Sequence, residues 1–451
     1  MPRGRLGYPV ALFLYCMMLC FSAHISSIPS LFGELLNFIL ALMTGIVDIT
    51  TVSDQEMRNA GFFRPCTFEN SILSVIIKRR FTEMKKLIPV TVTFMIAAQT
   101  VWGQTGIAGR SGVTLENTSA IVVYDLGGGS LADFHLKVGG PNPFTWNHPE
   151  PGDRTPRSMG HFICYDRWGP ASEAEIENGV PWHGEATSVM WHLDSAPRQG
   201  EGGIEAAMSC ELPIAGMTMQ RTITLDPREP VMVVRERFTN ENKLGRLYNV
   251  VQHATVGPPF LDEAMLIDTE VEKGFSQKGD VPVPEEPVLY WPKAVHNDEL
   301  VDFRTLSGDN RGPGVVSFVL GESAEYGWVT TCSPANGLLV GYVWSRSDYP
   351  WLSMWRSVQR DEPAAFGMEF GSTGLHQPFG VQVRKGTVWG RRLYEYIDAG
   401  ETQQKSFTVF LANIPADFQG VASILVERGR IVLTEHGDNP RTVTVSASVL
   451  P

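Results

Sequence analysis

From about residue 110 to the C-terminus, apolar and polar side chains alternate in short runs. "MTMQRTITLD", "PVMVVRERFTN", "LYNVVQHATV", "GVVSFVLG", "LLVGYVW", "KSFTVFLANI" and "TVTVSASV" are rich in Val, Thr and aromatics, and most are bounded by Gly, Pro, Asn or Asp. That is the signature of strands closed by turns. Convincing amphipathic helices of about 12 or more residues are absent after residue 104, which disfavours alternating β-α-β folds and TIM barrels. The pattern predicts an all-β chain of large antiparallel sheets packed as a sandwich. No repeat of fixed length and no low-complexity linker is seen, so 104–451 is read as one domain.

The first hundred residues break the pattern. "YPVALFLYCMMLCFSA" and "IPSLFGELLNFILALMTGIV" are apolar, but the first is short for a membrane span and the second carries Glu34 and Asn37. At Met84 begins "MKKLIPVTVTFMIAAQTVWGQTG", with a two-lysine start, an apolar stretch, and Val101 and Gly103 placed for a cut ahead of Gln104. This has the form of a secretory signal peptide over 84–103. Such peptides normally begin a protein, so translation is expected to start at Met84, with 1–83 an apolar extension that is not translated. The alternative is an N-terminal membrane anchor. Membrane contact is thus expected only through the signal peptide or the N-terminal segment, and the protein is expected to be exported, periplasmic or extracellular.

Charge and cysteines narrow the classes further. Lys+Arg number 37 against 49 Asp+Glu, a formal charge of −12, and no basic stripe suited to phosphates is present, so nucleic acid is not an expected partner. Past the proposed cut remain Cys164, Cys210 and Cys332, an odd number without C-x-x-C spacing. At most one internal disulfide can form, and no zinc signature is present. Eleven tryptophans suit a β protein whose aromatic faces pack a core or stack on sugar rings. Oligomeric state is not legible.

Several motifs then follow one another in order: "YDLGGGSLADFHL", "GHFICYDRWGP", "GVPWHGEATSVMW", "RFTNENKLGRLYNVVQHATVGPPFL", "DYPWLSMWR" and "FGMEFGSTG". Each is weak alone. As an ordered series the chain resembles the galactose mutarotase-like (aldose 1-epimerase) superfamily over nearly all of its exported part. The resemblance implies a β-supersandwich. It also implies interconversion of the α and β anomers of a free aldose, with a monosaccharide or the end of a glycan as partner.

That reaction moves one proton off the C1 hydroxyl and another onto the ring oxygen, opening the ring to an aldehyde that rotates and recloses. A base and an acid must flank the sugar, each typically worth about 10²–10⁴-fold. A carboxylate and an imidazole, whose free pKa is about 6.5, can serve near neutral pH without metal or organic cofactor. By resemblance His253 in "VVQHATV" is the acid at the ring oxygen, Glu369 in "FGMEFGS" the base at the C1 hydroxyl, and His183 in "PWHGEA" an assisting hydrogen-bond partner. In a regular strand His253 shares a face with Asn249, Val251 and Thr255, opposite Val250, Gln252, Ala254 and Val256. Gly184 is expected to let the chain turn so that His183 points into the cleft, with Trp182 and Trp191 supporting a strand behind it.

For sugar binding the candidates are Arg167, near Tyr165 and Trp168, or Arg157, because a guanidinium fork suits paired hydroxyls. Trp351 and Trp355 would share one strand face and could stack on a pyranose; core packing is the competing reading. His161, His192 and His376 are read as structural, with His161 and His376 near the cleft mouth. Two departures bear on substrate. Where many sugar-phosphate mutarotases have His-Gly-Phe-Ala-Arg, this chain has "HGEAT", with Glu185 and Thr187, so a phosphate would lack its arginine; and Phe370 replaces the proline after the base, which would reshape the cleft wall. The competing class is a carbohydrate-binding or accessory module that holds sugar without turnover. Lyases and hydrolases on this scaffold usually bring a helical domain that is not found here.

Overall fold

Alternation builds two large sheets. The computed structural model describes residues 106–277, 289–296, 299–305, 314–360 and 362–449. The apolar extension and the expected signal peptide over 84–103 lie outside the described residues. Among those described, the α-helices are Glu173–Glu177 and Phe379–Lys385, so the expected lack of long helices holds.

One sheet has ten antiparallel strands. Their order is Gly112–Glu116, Ala120–Asp125, Leu131–Leu136, His161–Tyr165, Val250–Val256, Glu362–Gly371, Trp351–Gln359, Gly314–Val319, Lys273–Ser276 and Leu289–Tyr290. The other has eight, in the order Leu266–Thr269, Tyr326–Ser333, Leu338–Ser345, Thr402–Asn413, Val231–Asn240, Met217–Leu225, Ile204–Leu212 and His192–Gln199. The main core draws on both: Ile163, Tyr165, Val250, Ala254, Val256, Phe366, Met368 and Phe370 from the first, and Phe238, Val340, Tyr342, Trp344 and Phe407 from the second. Because side chains alternate along a strand, Val251, His253 and Thr255 on 250–256, and Glu369 on 366–370, must point out of this core.

Phe370 illustrates the packing. Its ring stacks on Trp344 at 4.3 Å and meets Phe407 edge-on at 5.4 Å. Phe370, which stands where the resemblance places a proline, therefore fills the inter-sheet core, where burying such a side chain is worth about 1.5–3 kcal/mol. It does not form the cleft wall, contrary to the expectation from sequence.

A polar strip crosses this core behind the 250–256 strand. Arg221 pairs with Glu236 at 2.8 Å, and both are buried. Gln252 Nε2 donates to Glu236 Oε2 at 2.6 Å and to Tyr349 Oη at 3.1 Å. Gln252 Oε1 lies 3.1 Å from His161 Nε2, whose other nitrogen is 3.0 Å from Tyr342 Oη. Burial pushes the His161 imidazole down to about 3, so it stays neutral. His161 thus belongs to the core and not to a cleft mouth. Buried polar groups satisfied in this way fix one register for the strand that carries them.

A third sheet of three strands, Val421–Glu427, Arg430–Glu435 and Thr442–Ser446, packs on the outer face of the eight-stranded sheet through Ile424, Ile431 and Leu433 against Trp328, Leu339 and Phe410. Cys164, Cys210 and Cys332 are buried and unbridged.

Candidate active site

The outward face of the ten-stranded sheet carries the chemistry. Register sets His253 opposite Phe162 on one side and opposite Glu369 on the other. Glu369 is in turn opposite Ser353, and Ser353 opposite Ser317. One cross-strand row therefore reads Phe162, His253, Glu369, Ser353, Ser317. Directly opposed side chains on one face have Cβ atoms about 4.5–5.5 Å apart, close enough to bond. His253 Nε2 lies 3.2 Å from Glu369 Oε1.

Each member is held by a neighbour. Thr255, two residues along the same strand face, places its Oγ1 2.8 Å from His253 Nδ1. Phe162 stacks on the His253 ring at 4.2 Å. The Trp168 indole N–H donates to Glu369 Oε2 at 2.6 Å, and Ser353 Oγ is 2.8 Å from Ser317 Oγ.

His183 comes from a loop. Residues 182–189 are turns, and the next strand begins only at His192, so the expected strand behind His183 is not there. Gly184 bridges to Tyr165 with φ +79°, and a Cβ at that glycine would sit 2.0 Å from the Tyr165 carbonyl oxygen. Only glycine fits so close an approach. The loop delivers the imidazole to within 5.3 Å of His253, ring to ring. Gly169 N–H donates to His183 Nδ1 at 3.1 Å, which leaves the hydrogen on Nε2. The dipeptide Trp168-Gly169 thus steadies both Glu369 and His183. Trp191 does support the loop, as expected, with its N–H donating to the Ala186 carbonyl at 2.9 Å; Trp182 is 58 % exposed and packs edge-on against His183 itself, at 5.4 Å.

Burial governs the protonation of these groups. It raises the Glu369 carboxyl to about 8, against which the Trp168 bond acts in the opposite direction. It drives the His253 imidazole well below its ordinary value, with His183 and His376 adding to the fall. His183 goes to about 3 and His376 to about 4. Near neutral pH the Glu369–His253 pair therefore holds one proton, with no net charge.

These groups line a cavity of about 580 Å³, together with Trp146, Trp182, Trp355, His376, Gln277 and Gln377. Trp355 meets His253 edge-on at 5.9 Å and Trp146 edge-on at 5.8 Å, which places this expected sugar-stacking residue in the cavity wall. Trp351 is on the same strand face but fully buried, packed with Phe275 and Leu375, its N–H donating to the Arg392 carbonyl. It is core.

Neither arginine candidate reaches the cavity. Arg167 bonds Glu175 and Asp166 and lies over the Phe379 ring at 4.0 Å, in a separate depression. Arg157 bonds Asp153 and Asn147; its neighbour Ser158 lines the cavity instead. Among the described lining residues the one group able to carry a full negative charge is Glu369, and no Lys or Arg is present. Glu185, the departure in "HGEAT", is buried and accepts from the Ile214 and Ala215 N–H groups at 3.1 and 2.8 Å, so it ties down a loop. Among the described residues no group of three or more His, Cys, Asp or Glu could hold a metal ion.

Sequence reasoning missed Trp168; it placed His376 near the cleft mouth, where the structure has it, but read it as structural. His376 packs edge-on to Trp168 at 4.8 Å and Trp182 at 5.7 Å inside the cavity. The one available signal was adjacency, Trp168 standing in "DRWGP" and His376 seven residues after Glu369.

No family profile and no curated protein matches the chain by sequence. Solved structures do match. A galactose mutarotase-like protein from Clostridium acetobutylicum superposes with TM-score 0.51 at 12% identity, covering 68% of this chain and 96% of that one. A "putative aldose 1-epimerase" from Klebsiella pneumoniae subsp. pneumoniae gives TM-score 0.50 at 13% identity, covering 68% and 81%. With these neighbours and its two large antiparallel sheets, the chain has the galactose mutarotase-like fold.

Proposed function

We propose that this protein is an aldose 1-epimerase acting on a free, unphosphorylated aldose. The observation that carries the reading is the direct opposition of His253 and Glu369, 3.2 Å apart at the floor of an aromatic cavity. Sugar entry between them puts the C1 hydroxyl against Glu369 and the ring oxygen against His253. Transfer of the shared proton to His253 leaves a carboxylate to take the C1 proton and an imidazolium to protonate the ring oxygen. The C1–ring-oxygen bond then breaks to the aldehyde. Rotation about C1–C2 and the reverse transfers close the ring as the other anomer, restoring both groups. His183 Nε2–H, a neutral donor held by Gly169, steadies a sugar oxygen. The lack of Lys and Arg among the described lining residues favours a neutral sugar over a sugar phosphate.

The test is the decay of optical rotation of freshly dissolved α-glucose or α-galactose with and without purified residues 104–451. Acceleration is expected. Its pH profile should hold a plateau up to about pH 8 and fall above it, because losing the shared proton removes the acid; it should fall again only well below about pH 6.5, where a second proton reaches His253. This moves the descending limb upward from the ordinary histidine value that sequence alone suggests. No acceleration with a broad panel of aldoses, combined with measurable sugar binding, would identify a carbohydrate-binding module instead.

A further inference from the structure

Trp182 differs from every other tryptophan among the described residues: it is 58 % exposed, while the rest are buried or half-buried. A single exposed apolar residue needs no explanation by itself. This one, however, lines the cavity that holds Glu369 and His253, and it is fixed from two sides. Its ring meets His183 edge-on at 5.4 Å and His376 at 5.7 Å, and the His376 backbone N–H donates to Gln277 Oε1 at 3.2 Å. From His253 to His183 is 5.3 Å and from His183 to Trp182 a further 5.4 Å, so Trp182 stands two ring-to-ring steps from the acid–base pair.

We propose that Trp182 and His376 form an outer subsite for a second sugar ring, so that the preferred ligand is a neutral 4-linked oligosaccharide with a free reducing end. The inference rests on the anomer-exchange reading for the orientation of the inner ring. With C1 of that ring at Glu369 and His253 on the floor, C4 lies across the ring and points to the opening. A substituent at C4 emerges beside the exposed indole of Trp182. The apolar side of a pyranose suits such a ring, and its outward hydroxyls stay in water. The cavity, at about 580 Å³, has more room than one pyranose fills and lies within the range of about 300–1,000 Å³ usual for larger ligands. Among the described lining residues no cation is present to select an acidic sugar.

Calorimetric titration, which does not depend on turnover, compares glucose and galactose with cellobiose, maltose and lactose, alongside polarimetry on the same sugars. At least one of the disaccharides should bind about 10-fold or more tightly than its reducing-end monosaccharide, and Trp182→Ala should bring that ratio to near one, with Trp182→Phe retaining part of it. Trp182 is exposed enough that neither variant should fail to fold, and a melt checks this. Equal affinity for one and two rings, no binding of any of these sugars, or a preference that survives Trp182→Ala overturns the subsite. Anomeric turnover without disaccharide preference would leave the epimerase reading standing and remove the subsite. Trp182-dependent disaccharide binding without turnover would do the reverse.

Discussion

Glu369→Gln should lower anomeric turnover by about 10²-fold or more and, above neutral pH, raise the melting temperature. The amide keeps the size of the carboxyl and can still accept from Trp168, but it cannot take the C1 proton. The stability effect follows from burial. A carboxyl whose folded pKa is raised contributes fully below its unfolded value and loses that contribution as pH rises through the folded value. For Glu369 the two values are 4.5 and about 8. At about 1.36 kcal/mol per unit, the wild type gives up on the order of 5 kcal/mol by the time the group ionises. His253, whose folded pKa is lowered, acts oppositely on the acid side, its contribution fading as pH drops below about 6.5. The variant should therefore melt close to wild type near pH 5 and clearly higher near pH 9. Melts at those two values with polarimetry check it; a variant less stable at both, with near-normal turnover per folded molecule, marks Glu369 as a structural group. His253→Asn should lose turnover similarly.

Arg221→Met should cost about 3–5 kcal/mol of stability, since it leaves the Glu236 carboxylate buried without its cation. Gln252 remains as one donor to that carboxylate, which is not enough to replace a charge-assisted pair. The loss should be smaller near pH 5 than near pH 8, because burial already raises the Glu236 pKa and the unpaired group can take a proton in acid. Adding Glu236→Gln should recover part of the loss by removing the charge altogether. Denaturant unfolding of the single and double variants reads all three effects. A double variant no more stable than Arg221→Met would show that the guanidinium matters for its packing over Trp191, at 4.6 Å, rather than for the pair.

What could be read in advance was local. The faces of 250–256 followed from period two: Val250, Ala254 and Val256 lie in the core, Gln252 joins the core network, and His253 points outward. The same rule explains how Glu369 sits between Met368 and Phe370 without sharing their surroundings. Pairing between distant strands is another matter. Nothing in either strand states that position 253 lies opposite 369, because register comes from the whole sheet. For the same reason periodicity put Trp351 and Trp355 on one face correctly but could not say that the sheet's loops bury the first and leave the second in the cavity. Arg167 looked free beside aromatics, yet Glu175, one turn into a short helix, takes it. His376 sits in a loop where no periodicity exists to orient it.

The central claim is that one aldose ring fits between Glu369 and His253, and a crystal structure of the wild-type protein with an unphosphorylated aldose bound tests it most directly. The account predicts the C1 hydroxyl within about 2.6–3.2 Å of a Glu369 oxygen and the ring oxygen within similar reach of His253 Nε2, with the two side chains parted by the sugar. A sugar seated in the cavity with C1 away from both groups, while His253 Nε2 and Glu369 Oε1 stay 3.2 Å apart, would contradict it.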